Sequence, residues 1–254
     1  MLEAAPSVLS TSIDRLSNPQ GLRTLGRMDI QAVIFELDGV LVVTDRYELR
    51  AWHAFCRERS WSFPGRLGSD EDTLEAILLE NGVSPATVAL EDLHEEKQRR
   101  YLAALETMES EDFYPGAVGF VIELRAFEIP TAIATADLGA DRIISVMDVG
   151  ELFDTIVLQE IKGRSASTRL KEAAENLGVE PRSTAVFADD NETLSVARAL
   201  GMRAIGVGPV DRVEEADRAI QNFTDIDFAD FLAQGRPERI LDEHRNRTAP
   251  SSSR

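Results

Sequence analysis

Glu36 and Asp38 stand two residues apart at the end of the apolar run Ile30–Leu37, with Gly39 directly after them. Asp189 and Asp190 follow a second run, Thr184–Ala188. Thr135 closes a third, Pro130–Thr135, with Ala136 and Asp137 next, and Gln159, Lys162 and Arg164 come at or just after the end of a fourth, Thr155–Leu158. Each group has an ordinary reading by itself. Asp-Gly is a turn dipeptide, Asp189-Asp190-Asn191 ahead of a helix is an N-cap cluster, and loop cations are solvated. Their joint placement at the ends of runs carries more. Grouped carboxylates suit a hard divalent cation such as Mg²⁺, which takes oxygen ligands. A hydroxyl and a cation beside that ion suit a phosphoryl group, whose transfer is mostly positioning and charge neutralisation.

The elements that hold these residues follow from periodicity. The four runs and a fifth, Arg203–Val207, are short, continuous and rich in Ile, Val, Ala, Phe and Thr, as strands buried on both faces are. Helix-period segments separate the later ones: Ala117–Phe127, Gly139–Val149, Ser165–Leu177 and Thr193–Leu200. Alternation of this kind predicts an α/β fold, a doubly wound parallel sheet with helices on both faces. In such a sheet ligands bind outside the carboxyl ends of the strands, where the polar residues above fall. Between the first two strands no strand pattern occurs. Tyr47, Ala51, Trp52, Phe55 and Cys56, then Leu74, Ile77 and Leu78, then Leu90, Leu93, Tyr101, Leu102 and Leu105 recur at helical spacing instead. The expected organisation is an N-terminal extension (1–28), an α/β core (29–45 and 113–232), an inserted helical cap (46–112) and a C-terminal tail (233–254). Within the cap, Arg50, Arg66 and Lys97 are candidates to meet an anionic substrate, and Tyr47, Trp52, Phe55 and Trp61 read as its core.

Composition narrows the function classes. The 254 residues carry 27 Lys+Arg against 45 Asp+Glu, a formal charge of −18. Such an acidic excess argues against nucleic acid and against anionic membrane as partners. One cysteine, Cys56, excludes an internal disulfide. No apolar run reaches the ~18 residues of a membrane span, and the start lacks a signal-peptide layout, so a cytoplasmic location is expected. Oligomeric state is left open by the residues.

The run Ala32-Val33-Ile34-Phe35-Glu36-Leu37-Asp38-Gly39-Val40-Leu41 resembles the first motif of the haloacid dehalogenase (HAD) superfamily, a strand followed by Asp-x-Asp-Gly-Val/Thr. Thr44, Tyr47, Arg50, Ala51 and Trp52 continue the likeness toward its β-phosphoglucomutase-like branch. Tyr114-Pro115-Gly116 is similar to the return from cap to core, and Ile133-Ala134-Thr135 to the second motif. Leu177-Gly178-Val179, Val186-Phe187-Ala188-Asp189, Ala199-Leu200-Gly201-Met202 and Ile205-Gly206-Val207 resemble the fourth motif and its surroundings. The likeness spans roughly 29–231. It implies a HAD-like core with a helical cap, an Mg²⁺ cofactor and a small phosphorylated substrate. It also implies roles: nucleophile at Glu36, general acid/base at Asp38, phosphate contacts at Thr135, Ala136 and Arg164 or Lys162, and metal ligands among Glu36, Asp38, Asp189 and Asp190.

Several positions depart from the pattern. Glutamate replaces aspartate at the nucleophile position, adding a methylene and about 1.5 Å of reach. Ala188 replaces the first acid of the fourth motif, and Arg164 the lysine of the third. Asp137 places a carboxylate near the expected phosphate. Glu48 and Asp70 stand where the mutase branch has a histidine and a phosphate-binding arginine, while Lys97 and Tyr101 keep its cap signature. Three functions remain open: an Mg²⁺-dependent phosphatase, with phosphomutase the lesser form; a HAD-fold protein without hydrolase activity, used for binding or regulation; or a metal-and-diphosphate pocket turned to ionising a diphosphate ester, as terpene cyclases do.

Overall fold

A computed structural model describes residues 30–65, 68–159 and 165–233. Residues 31–227 form one compact unit that contains both the sheet and the helical insertion. Ile30 and a short helix, Phe228–Ala233, belong to a second unit. The expected extension lies outside the described residues, as does the expected tail apart from Ala233.

The chain runs β1 (Ala32–Phe35), α1 (Asp45–Glu58), α2 (Asp70–Glu80), α3 (Leu90–Leu105), α4 (Ala117–Ala126), β2 (Thr131–Ala134), α5 (Ala140–Val146), β3 (Thr155–Val157), α6 (Ala166–Leu177), β4 (Thr184–Ala188), α7 (Asn191–Ala199), β5 (Arg203–Val207) and β6 (Arg218–Ile220). All strand pairs are parallel, in the order β3-β2-β1-β4-β5-β6. Each of the five expected strands forms, within the bounds of its run or equal to it. β6 is an addition: three residues beginning with an arginine give no apolar run, and the strand exists because Ile205, Gly206 and Val207 offer it an edge.

Alternation along the strands sorts the two faces. Ile34, Ala132, Ala134 and Val186 pack with Leu170, Ala173 and Ala174 of α6 and Leu194 and Ala197 of α7. Phe35 and Phe187 point the other way and stack at 5.1 Å, with Phe120 of α4 edge-on to Phe187 at 5.5 Å. The sheet is therefore covered on both sides. The connection from β1 goes to β2 on one flank and that from β3 returns to β4 on the other, so the strand order reverses between β1 and β4. That junction is where a crevice opens at the carboxyl edge.

Helices α1 to α3 make the insertion around its own apolar centre of Trp52, Phe55, Cys56, Leu74, Ile77 and Leu78. Its two linkers lie side by side: Val43 N–H donates to Asp112 C=O at 2.9 Å and Tyr114 N–H to Leu41 C=O at 2.9 Å. Arg46 and the Tyr47 hydroxyl both bond the Asp112 carboxylate, tying the first turn of α1 to the returning chain. Among the described residues no helix is long and apolar enough to cross a membrane.

Candidate functional site

Four strands deliver polar residues to one edge. Glu36 directly follows β1, and its N–H still bonds Phe187 C=O at 2.9 Å, so its backbone is held in the sheet. Its side chain is 9% exposed, and Oε1 accepts a hydrogen bond from the Thr193 hydroxyl at 3.1 Å. Burial, then the charges of Asp190 and Asp189, hold the Glu36 carboxyl well above the usual carboxylate range. Carboxylate oxygens of Glu36, Asp189 and Asp190 lie within 4.8 Å of one another. Asp190 is at once a member of this group and the N-cap of α7, accepting from Thr193 N–H at 2.9 Å. The cap reading and the cluster reading of Asp189-Asp190-Asn191 therefore hold together. Burial and then Asp190 push the Asp189 carboxyl up to about 6.

Gly39 makes the cluster sterically possible. It sits at φ +72°, and a Cβ built on it would lie 2.2 Å from Asp189 Oδ2. Only glycine accommodates both the left-handed backbone and that approach.

Asp38 stands outside the three-carboxylate group. Its Oδ1 accepts from Gly39 N–H at 2.9 Å and Thr44 N–H at 3.1 Å, so the loop out of β1 fixes its direction. Burial pushes it up to about 7, with the hydrogen bonds from Thr44 opposing and the charges of Asp137 and Asp189 adding. A carboxyl with that affinity exchanges its proton near neutrality, as a general acid and base must.

Thr135, 3% exposed, accepts from Asp137 N–H at 3.1 Å through Oγ1. Asp137 is turned back onto its own loop and the insertion: Oδ1 accepts from Gly139 N–H at 2.6 Å and Oδ2 from the Tyr101 hydroxyl at 3.1 Å. Its carboxyl is raised, chiefly by burial.

These groups border a cavity of about 660 Å³ between sheet edge and insertion, within the range of small-molecule sites. From the core come Glu36, Asp38, Thr135, Ala136, Asp137, Gln159, Asp189 and Asp190; from the insertion, Glu48, Ser69, Asp70, Glu71, Gln98 and Tyr101. Of the expected substrate contacts, Thr135 and Ala136 are brought to it. Arg50 is not: it lines a separate cavity with Arg46, His53 and Arg57 and leans over the Tyr47 ring. Lys97 is buried at 1% and bonded to Glu48 and Asp70. Lys162, Arg164 and Arg66 lie outside the described residues.

Thr193, Ser69, Glu71 and Gln98 were not singled out from sequence. Thr193 carried a usable signal, three residues after an N-cap aspartate; Glu71 follows an N-cap serine, Ser69, in an acidic first turn.

An all-oxygen donor set containing a buried glutamate and two neighbouring acids fits a hard divalent cation. Without a counter-charge the neighbouring carboxylates help raise the proton affinity of Glu36 and of Asp189, and a bound cation would offset that repulsion.

The family model for haloacid dehalogenase-like hydrolases matches residues 30–201. β-Phosphoglucomutase of Bacillus subtilis is 27% identical over 207 residues, 78% of this chain and 92% of that protein. β-Phosphoglucomutase of Clostridium difficile superposes with a TM-score of 0.65 at 20% identity, covering 79% of this chain and 94% of the other. CbbY of Rhodobacter sphaeroides, solved in complex with xylulose-(1,5)bisphosphate, superposes with a TM-score of 0.61 at 20% identity over 77% and 96% of the two chains.

Proposed function

We propose that this chain, which belongs to the haloacid dehalogenase-like hydrolases and is similar to the β-phosphoglucomutase-like branch, is an Mg²⁺-dependent phosphohydrolase acting on a small phosphorylated metabolite. One observation carries the reading. Asp38, with a proton affinity near neutrality, borders a single cavity together with the Thr135 residue and the Glu36–Asp189–Asp190 carboxylates.

Glu36, Asp189 and Asp190 would hold the metal, which supplies positive charge against the phosphoryl oxygens. Thr135 donates its hydroxyl to one of those oxygens. A Glu36 carboxylate oxygen attacks phosphorus, the ester P–O bond breaks, and Asp38 gives its proton to the departing oxygen. Water then attacks the glutamyl phosphate. Asp38 takes the water proton, and inorganic phosphate and the Glu36 carboxylate are released. Thr193 anchors Oε1 during both steps, offsetting the extra rotatable bond of glutamate. Tyr101 keeps the Asp137 charge occupied, which limits its repulsion of the phosphate. The insertion acts as a cap that excludes water from the cavity.

The test is phosphate release from p-nitrophenyl phosphate with Mg²⁺. The reading expects turnover in the native chain and its loss in Asp38→Asn. Magnesium binding by calorimetry without release of phosphate, and turnover created by Glu36→Asp, would overturn it in favour of a non-hydrolytic use of the fold.

A further inference from the structure

The insertion meets the sheet edge at the loop after β2. Tyr101 of α3 is buried, and its hydroxyl donates to Asp137 Oδ2 at 3.1 Å. Gly139 lets α3 come this close: a Cβ there would meet Leu105 Cδ1 and Tyr101 Cε1. At the surface Arg142 Nη1 of α5 pairs with Glu106 Oε1 at 2.8 Å, just past α3. That ion pair is half-exposed and contributes little. The buried hydroxyl–carboxylate bond is the specific link between insertion and loop.

Asp137 passes that link on to the phosphate side. Its Oδ1 accepts from Gly139 N–H at 2.6 Å, so its two oxygens bond the insertion and its own loop at once. Its N–H donates to Thr135 Oγ1 at 3.1 Å. With that lone pair occupied, the Thr135 hydroxyl has its hydrogen left for an acceptor in the cavity. The direction of the Asp137 N–H follows from where the loop sits, and the loop is held by the two bonds to the Asp137 carboxylate. A carboxylate beside a phosphate repels it. Asp137 is tolerable there because a donor engages each of its oxygens, one of them supplied by the insertion.

We propose that Tyr101 is a positioning residue for phosphate binding: seated by the closed insertion, its hydroxyl holds Asp137, and the Asp137 N–H holds the Thr135 hydroxyl in the direction that donates to a phosphoryl oxygen. This rests on the phosphohydrolase reading for the presence of that phosphoryl group and adds how closure of the insertion is felt there. Movement of α3 by about 1 Å takes the Tyr101–Asp137 contact out of hydrogen-bond range and loosens the Thr135 donor. Phosphate is therefore held well under the closed insertion and poorly without it.

Calorimetric titration of the Mg²⁺-loaded full chain with inorganic phosphate tests it without requiring turnover. Tyr101→Phe removes the hydroxyl, keeps the ring, and is expected to weaken phosphate binding about tenfold, the order of one hydrogen bond. Thr135→Val should weaken it by a similar factor. Adding Tyr101→Phe to Thr135→Val should then cost no more than about a further twofold, because both act through one donor. A structural role for Tyr101 elsewhere would add in full. Asp137→Asn and Asp137→Ala give an independent check, since both remove the negative charge. Asparagine still accepts from Gly139 N–H and can donate to the Tyr101 hydroxyl, so it should bind phosphate about tenfold tighter than the alanine variant. That pair decides the question where Tyr101→Phe is too unstable to titrate. Unchanged affinity in Tyr101→Phe, additive losses in the double variant, equal affinity of the two Asp137 variants, or no phosphate binding by the native chain would overturn the proposal. Hydrolysis of p-nitrophenyl phosphate is recorded on the same sample. Turnover without the coupling removes the inference and leaves the hydrolase; coupling without turnover removes the hydrolase and leaves Tyr101 positioning the donor to a bound phosphate.

Discussion

The Thr193 hydroxyl donates to Glu36 Oε1 at 3.1 Å, joining the residue just past β1 to the first turn of α7. That helix is capped by Asp190, so one short segment both supplies a carboxylate to the cluster and anchors another. The bond gives the longer glutamate side chain a fixed direction that an aspartate would get from its shortness.

Removing that anchor while keeping the shape separates it from packing. Thr193→Val leaves the Asp190 cap to the backbone intact but orphans a buried carboxylate oxygen. The expected outcome is a stability loss of about 1–3 kcal/mol in urea denaturation. In p-nitrophenyl phosphate kinetics, kcat should fall about tenfold with little change in KM, because the misplaced group acts in the chemical step. Unchanged kcat would show that Glu36 needs no such anchor.

Gly39 is the second structural support of the cluster. A methyl group there would meet Asp189 Oδ2 at 2.2 Å on a backbone with φ +72°. Gly39→Ala should displace Asp189 and weaken Mg²⁺ binding by at least about tenfold, the usual cost of disturbing a ligand's support. Calorimetric titration with MgCl₂ reads this directly, and native affinity in the variant would place Asp189 outside the metal site.

Most of the sheet was legible because five strands are continuous apolar runs, each followed by its polar residues. Glu36, Asp38, Thr135, Asp189 and Asp190 are picked out by that rule, and the structure places them along one cavity. β6 was not, since Arg218–Ile220 owes its strand form to pairing with Ile205–Val207 rather than to its own composition. From sequence Lys97 is a candidate to meet an anionic substrate, with a solvated helix face as the ordinary alternative. It is buried because Glu48 and Asp70, 49 and 27 residues away in sequence, converge on it. Arg50 likewise turned to the outer face of α1, toward Thr107 and the Tyr47 ring. Arg50 meets Tyr47 three residues earlier on its own helix and Thr107 just past α3, whereas contacts between separate helices decide the case of Lys97, which no local pattern encodes. Gly139 is similar: a Cβ there would meet Leu105 and Tyr101 at 2.7 and 2.9 Å, a constraint visible only once α3 lies against the loop after β2.

The buried acids make metal-free stability pH-dependent. Glu36 is raised, Asp38 lies at about 7 and Asp189 at about 6 in the folded chain, against about 4 for unfolded carboxylates. The folded state therefore binds more protons than the unfolded state across that interval, and stability falls as pH rises from about 4 through 7. In EDTA the Tm should be higher at about pH 5.5 than at about pH 8, and Mg²⁺ should narrow the gap. Because the net charge of −18 gives a trend of the same sign, Asp189→Asn is the control: it should flatten the dependence. A slope unchanged in that variant would assign the effect to the surface.

Glu36 and Asp38 should separate cleanly by readout. Glu36 shares the three-carboxylate group with Asp189 and Asp190, whereas Asp38 is held apart by Gly39 and Thr44 N–H groups. Glu36→Gln removes both a ligand charge and the nucleophile, so it should weaken Mg²⁺ binding more than about tenfold and abolish turnover even at saturating Mg²⁺. Asp38→Asn keeps both the hydrogen-bond acceptor for the two amides and the metal group, so Mg²⁺ affinity should stay within about threefold while kcat falls by about 10²–10⁴, the worth of general acid–base catalysis. The pH profile adds a further check, since the limb that reports a group near 7 should disappear with Asp38. If Asp38→Asn instead abolished Mg²⁺ binding with Glu36→Gln leaving it intact, Asp38 would be the metal ligand of the β1 loop and Glu36 would not.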